Sequence, residues 1–158
     1  MAIEKARQYF AAFGIQDRIM EFEVSSATVE LAAMAVGVEG KRIAKTLSFW
    51  VHEKPVLIVT AGDAKIDNAK YKAKFKAKAK MLGHEEVEAV IGHDIGGVCP
   101  FGINEGVDVY LDISLKRFGT VFPACGSSNS AIEMNMEELE RYSNSLEWID
   151  VCKAWQEE

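Results

Sequence analysis

The chemistry legible in this 158-residue chain begins with one lysine. Lys45 lies in Ile43–Val51, an alternating run rich in β-branched and aromatic residues that reads as a β-strand. Residues of equal parity share a face of a strand, so Lys45 stands with Ile43, Leu47, Phe49 and Val51, opposite Ala44, Thr46, Ser48 and Trp50. An ammonium on an apolar stripe is costly unless its head reaches water or meets an anion. Two readings follow. Either the stem packs and the head is solvated, or the amine projects into a cavity to grip a phosphate or a developing negative charge.

A second set of candidates is a loop, Gly96-Gly97-Val98-Cys99-Pro100-Phe101-Gly102. Proline restrains φ while glycine lets the backbone approach a ligand, so the loop is defined rather than slack. Its N–H groups are suited to a carbonyl oxygen or an amino-acid backbone; a plain structural turn is the alternative. Cys99 invites a nucleophile reading, but no histidine-containing helper motif stands beside it, and a small buried filler fits the residue better. A third segment, Cys125-Gly126-Ser127-Ser128-Asn129-Ser130, is small and polar. It suits a hairpin turn or the rim of a polar pocket.

Charge is unevenly spread. Lys65, Lys70, Lys72, Lys74, Lys76, Lys78 and Lys80 share a 16-residue window with one acid, Asp67, giving that window +6 against −12 for the rest. On an acidic body, such a strip is the obvious landing place for a polyanion, or else a solvated face that aids solubility. Three scattered cysteines and three histidines without HExxH or HxH spacing argue against disulfides and a protein-held metal. Neither a phosphate-loop motif nor a dinucleotide fingerprint occurs, so no cofactor is expected. Without a signal-like N-terminus or a membrane-spanning apolar run, the cytoplasm is the expected location.

Several elements must position these groups. Periodicity predicts helices over 2–13, 28–36, 67–75, 84–91 and 136–143. Ser25-Ser26 is expected to cap the second of these. Strands are expected over 20–24, 43–51, 56–61, 78–82, 107–112, 120–124, 131–135 and 148–152, with a Lys54-Pro55 turn joining the 43–51 and 56–61 strands into a hairpin. A helical turn is expected over 114–118, and 92–106 reads as an irregular loop. The sum is a single α+β domain over 1–158, with a mixed, mostly antiparallel, barrel-like sheet and surrounding helices.

In order along the chain, these pieces resemble the YbaK/EbsC family of aminoacyl-tRNA deacylases, which includes the editing domain of bacterial prolyl-tRNA synthetases. The resemblance is carried by Ser26-Ala27-Thr28-Val29-Glu30-Leu31-Ala32-Ala33 with Gly37-Val38, then Ile43-Ala44-Lys45-Thr46-Leu47 and the Gly96–Gly102 loop. Val109-Tyr110-Leu111-Asp112 and Gly126-Ser127 with Ile132-Glu133-Met134 complete it, over roughly residues 20–145. It implies metal-free hydrolysis of a small misattached aminoacyl group from tRNA(Pro) or a related tRNA by a positioned water.

By that resemblance Lys45 and Gly97 are the catalytic candidates, Lys45 holding the terminal phosphate or carbonyl and the glycine loop presenting backbone donors. Thr28, Gly96, Val98, Pro100, Gly102, Gly126 and Ser127 would line the substrate pocket. The seven lysines would meet the tRNA backbone. Transfer RNA is the implied partner, with an aminoacyl-tRNA synthetase as a second, and neither DNA nor a membrane is expected. The chain departs from the family at Cys99, where Ser or Thr is usual, at the neutral Gly126–Asn129 turn, and at Ala131. Two other functional classes are a catalytically silent tRNA- or synthetase-binding module and a hydrolase of small free esters or amides.

Overall fold

A computed structural model describes residues 2–23, 28–93, 97–127 and 129–155. The framework is a six-stranded mixed sheet ordered β8-β6-β2-β3-β5-β9, curled into a half-barrel with helices around it. Its spine is the β2–β3 hairpin, Ile43–Val51 against Lys54–Ala61, joined antiparallel through eight residue pairs from Ala44↔Ala61 to Val51↔Lys54. The hairpin turn is therefore His52-Glu53, with φ of 50° and 69°, and not Lys54-Pro55. Pro55 lies inside β3 opposite Trp50, before β3 begins its pairing with β5 at Val56, so its missing N–H interrupts no ladder there.

Outward from this hairpin the pairing turns parallel. β5 (Asp108–Asp112) runs parallel to β3, β9 (Glu147–Ile149) parallel to β5, and β6 (Thr120–Pro123) parallel to β2 at Ile43↔Phe122 and Ala44↔Pro123. β8 (Met134–Asn135) closes the β6 edge antiparallel. Two antiparallel ribbons stand apart: β1 (Met20–Glu21) with β7 (Ser130–Ala131), and β4 (Lys65–Ile66) with β10 (Cys152–Lys153).

The strand expected at 131–135 is thus split into β7 and β8, and that at 148–152 into β9 and β10. The expected strand at 78–82 is reduced to one bridge, Met81↔Phe49, flanked by Trp50 N–H to the Lys80 carbonyl (2.8 Å) and Leu82 N–H to the Ser48 carbonyl (3.2 Å). Its Lys/Ala sequence offers no β-branched face to pack, so it follows the β2 edge without building a ladder. Of the strand expected at 20–24, Val24 lies outside the described residues.

The helices are α1 (Ala2–Ala11), α2 (Val29–Val36), α3 (Asn68–Phe75), α4 (His84–Ile91) and α5 (Met136–Ser143). Local chemistry sets their ends. Thr28 Oγ1 accepts from Leu31 N–H at the start of α2, and Gly37 ends it at φ 85°. The cap is thus the threonine; Ser25 and Ser26 lie outside the described residues. Asp67 accepts from Ala69 and Lys70 N–H at α3, and Asn135 exchanges two bonds with Glu138 at α5. The main core packs on both faces of the sheet and includes Phe10, Leu57, Ile58, Tyr71, Phe101 and Leu111, all fully buried.

Candidate functional site

Both faces of β2 are covered, which decides the setting of Lys45. On the odd face, Ile43 packs with Ala32 and Ala33 of α2 and with Phe122, while Phe49 meets the Tyr71 ring of α3 at 5.2 Å. Lys45 and Leu47 lie between those two packings and are each half-buried. Among the described residues, the Lys45 amine makes neither a hydrogen bond nor an ion pair. Burial lowers its pKa; Cys152, Asp63 and Glu30 act in the opposite direction, and Lys65 adds to the lowering. Burial of this amine without a hydrogen-bond partner among the described residues is a cost that an anionic or carbonyl oxygen could offset.

The wall behind Lys45 comes from the C-terminal ribbon. Cys152 of β10 is fully buried; burial, and then the Asp112 carboxylate that accepts from its thiol, push the thiol's pKa up. Asp112 at the end of β5 is itself fully buried and accepts from Ser114 and Val151 N–H, both at 2.9 Å. Asp63 forms a two-pronged ion pair with Arg117 at 2.6 and 3.0 Å. Asp112 and Asp63 are thus engaged with other groups.

The two glycine-bearing loops meet directly. A Cβ on Gly97 would lie 2.3 Å from Ser127 N and 2.6 Å from the Gly126 carbonyl carbon, so only glycine permits this approach. Gly126 has φ 93°, a second glycine requirement. The 97–102 segment is anchored on α1: Phe101 stacks on Phe10 at 4.8 Å, and Gly102, at φ 65°, sits against the Lys5 carbonyl. Pro100 is buried and Val98 half-buried; Gly96 lies outside the described residues. Register links these loops to the lysine. β6 leaves β2 at Ala44↔Pro123, so the chain running to Gly126-Ser127 departs beside Lys45.

Other candidates have local duties. The Thr28 oxygen caps α2. Ser127 Oγ lies 2.9 Å from Asn129 Oδ1 and 2.8 Å from Ser130 Oγ, inside its own turn. Cys99 has a histidine after all, His93, whose Nε2 is 3.5 Å from Sγ. That nitrogen is also 2.7 Å from the Phe101 carbonyl, which can only accept, so Nε2 carries the proton and cannot take one from the thiol. Burial pushes the Cys99 thiol up to about 12. The buried-filler reading fits these facts. Five residues, two of them glycine, separate His93 from Cys99, so no local motif joined the pair in the sequence.

The lysines divide into two groups. Lys70 donates to Asp150 (3.0 Å) and to the Cys152 carbonyl (3.1 Å), and Lys74 pairs with Glu147, which ties α3 to β9 and β10. Lys65, Lys72, Lys76, Lys78 and Lys80 are exposed and form no ion pair among the described residues. The described residues contain no His/Cys/Asp/Glu group suited to a metal, and no helix is long and apolar enough to cross a membrane.

Comparison with known proteins adds four findings. The profile described as "Aminoacyl-tRNA editing domain" matches residues 23–142. The chain is 54% identical over 157 residues to "Uncharacterized protein YwhH" of Bacillus subtilis (strain 168), covering 99% of this chain and 100% of that one. It is 29% identical over 124 residues to a proline–tRNA ligase of Bacillus cytotoxicus, 78% of this chain but 22% of the ligase. A solved structure named as a candidate trans-editing enzyme for prolyl tRNA synthetase superposes with a TM-score of 0.87 at 25% identity, over 96% of this chain and 97% of that one.

Proposed function

The chain belongs to the aminoacyl-tRNA editing domain family, and from that premise we propose that it is a free-standing deacylase that hydrolyses a small, wrongly attached amino acid from tRNA(Pro) or a related tRNA. The observation that carries this reading is the half-buried Lys45 amine, without a protein partner among the described residues, on β2 next to the point where the chain leaves for the Gly126-Ser127 turn that Gly97 abuts. An aminoacyl ester is already activated, so placing water and stabilising charge suffices.

In this reading Lys45, as the ammonium, holds the terminal phosphate or the ester carbonyl oxygen. Backbone N–H groups of Gly97, Val98 and the Gly126-Ser127 turn face the developing oxyanion. Gly96, Pro100, Gly102 and Thr28 shape the pocket around the aminoacyl group. Water attacks the carbonyl carbon, the C–O bond to the terminal ribose breaks, and the ribose oxygen leaves with a proton. The products are free amino acid and uncharged tRNA. The exposed lysines meet tRNA phosphates in the cytoplasm, where an aminoacyl-tRNA synthetase is the natural source of mischarged substrate.

The test is a deacylation screen over several mischarged tRNAs, with Lys45→Ala beside the wild type. Loss of one good charge-stabilising donor costs about 10²–10³ in rate. A variant that is folded and fully active would remove Lys45 from the chemistry. Tight tRNA binding with no release of any amino acid would replace the enzyme by a binding module.

A further inference from the structure

Two carboxylates, Asp63 and Glu30, act on the Lys45 amine, and only one of them is engaged elsewhere. Asp63 is held by Arg117 at 2.6 and 3.0 Å. The neighbouring Cys152 thiol donates to Asp112, and its raised pKa keeps it neutral. Glu30, in the first turn of α2, is exposed and makes no hydrogen bond or ion pair among the described residues.

Packing brings Glu30 to the face of the hairpin that carries Lys45. Lys45 pairs with Thr60 and Ala44 with Ala61, so the chain continues to Gly62 beside Ile43, one row along that face. A Cβ on Gly62 would lie 2.9 Å from Val29 Cγ1 and 2.1 Å from the Gly40 carbonyl oxygen. The bare glycine therefore lets the first turn of α2 close on this row. Val29, Ala32, Ala33 and Val36 form the inward stripe of α2, packed with Ile43 and Phe122. Glu30 stands at the flank of that stripe. Its charge acts on Lys45, yet the two form no ion pair, so an interval separates a cation from an unengaged anion.

An α-amino ester carries the complementary groups: a carbonyl oxygen for the cation and, on the adjacent carbon, an α-ammonium for the anion. An acyl group without that amine leaves the carboxylate unanswered. One whose amine is blocked as an amide sets bulk and a weaker donor against it. We propose that Glu30 is a specificity-determining residue that receives the α-ammonium of the aminoacyl group while Lys45 holds its carbonyl oxygen. The site then takes esters with a free amine and spares N-blocked ones, peptidyl-tRNA among them. The orientation of the ligand rests on the deacylase reading above.

The test uses the full chain and two non-hydrolysable probes, the alanyl and the propionyl amides of 3′-amino-3′-deoxyadenosine, titrated by calorimetry. They differ only in the α-amine. Wild type should bind the alanyl probe about 10-fold more tightly, the scale of one charge-assisted hydrogen bond at an exposed carboxylate. Glu30→Gln should weaken the alanyl probe by that factor and leave the propionyl probe unchanged, and Glu30→Asp should restore part of the preference. An acid in a first turn also favours the helix dipole. If that were its whole role, Glu30→Gln would lower Tm and affect both probes alike, which overturns the proposal. Equal affinity of the wild type for the two probes, or no binding of the alanyl probe, overturns it too. Where the probes behave as expected and no mischarged tRNA is hydrolysed, the subsite stands and the deacylase reading falls. Where a mischarged tRNA is cleaved equally fast before and after its amine is acetylated, the deacylase reading stands and the subsite falls.

Discussion

Replacing Gly97 by alanine tests the geometry of the site most directly, because the disturbance can be read from the structure. Gly97 lacks the positive φ that disfavours side chains, so an added methyl is a purely steric change. Its Cβ would lie 2.3 Å from Ser127 N and 2.6 Å from the carbonyl carbons of Gly126 and Ser127, where ordinary contact begins at 3.4 Å. All three atoms are backbone, so no side chain can swing aside. The two loops must part by about 1 Å, and a misplacement of that size at reacting groups costs about 10²-fold in rate.

The same overpacking costs typically about 1–3 kcal/mol. At roughly 2–4 °C per kcal/mol for a chain of this size, that is a visible fall in Tm. Gly119→Ala is the matched control: nothing lies within 4 Å of its Cβ, and it too lacks a positive φ. It should stay within about 0.5 kcal/mol of wild type. Thermal denaturation and single-turnover deacylation, measured well below Tm, read the two effects separately. A Gly97→Ala protein with wild-type Tm would refute the close approach. One that loses stability but keeps its rate would leave the contact structural and take Gly97 out of the chemistry.

Two further predictions concern the charges around the site. Burial lowers the Lys45 pKa below its ordinary 10.5, so between the two values the unfolded chain binds more protons and stability rises with pH. Below that window both states are charged and the folded one carries the whole desolvation cost. Lys45→Met should therefore raise Tm at pH 7 while abolishing activity, and the gain over wild type should shrink as pH approaches 10.5; a gain constant from pH 7 to 10.5 would show that burial of the charge is not its source. Asp112→Ala leaves the buried Ser114 and Val151 N–H groups without an acceptor, at about 1–3 kcal/mol each. Its urea midpoint should fall accordingly and that of Asp112→Asn by less; equal midpoints for wild type and Asp112→Ala would deny the carboxylate its bridging role.

Local chemistry made much of the fold legible in advance. Asp67 and Gly37 marked helix boundaries because caps act over three or four residues, and β2 spans the nine residues expected, although both its faces are covered and burial does not alternate along it. The hairpin turn was misplaced for a local reason as well. His52-Glu53 lacks the glycine or asparagine usual at two positive φ angles, whereas Lys54-Pro55 carries the commoner turn signal. Facing pairs such as Trp50↔Pro55, not turn propensity, fix the register.

What the sequence hid was non-local. Parallel pairing of β2 with β6, and of β3 with β5, joins segments about 50 to 80 residues apart. The same distance concealed why Lys70 and Lys74 differ from Lys72: their acids, Asp150 and Glu147, lie more than 70 residues away. Of the candidate site, Lys45 and the glycine loops were visible as residue types. Their mutual approach was not, because it depends on β6 running beside β2 for only two residue pairs before turning away.

That brief pairing explains how the site tolerates its central charge. An amine in a fully packed strand interior would be forced to deprotonate or unfold its surroundings. Lys45 escapes this because β6 leaves at Ala44 and the Lys80–Leu82 segment rejoins the β2 edge only from Ser48 onward, leaving Lys45 and Leu47 in the interval. The interval is held open from three sides: α2 packs on Ile43, α3 on Phe49, and the C-terminal ribbon brings Cys152 behind the amine. The last of these lies beyond residue 142, where the family match ends. β9 and β10 therefore belong to the site's wall, tied by Lys70 to Asp150 and by Val151 to Asp112. The same α3 that clamps this wall through Lys70 and Lys74 leaves Lys72 exposed and without an ion pair among the described residues.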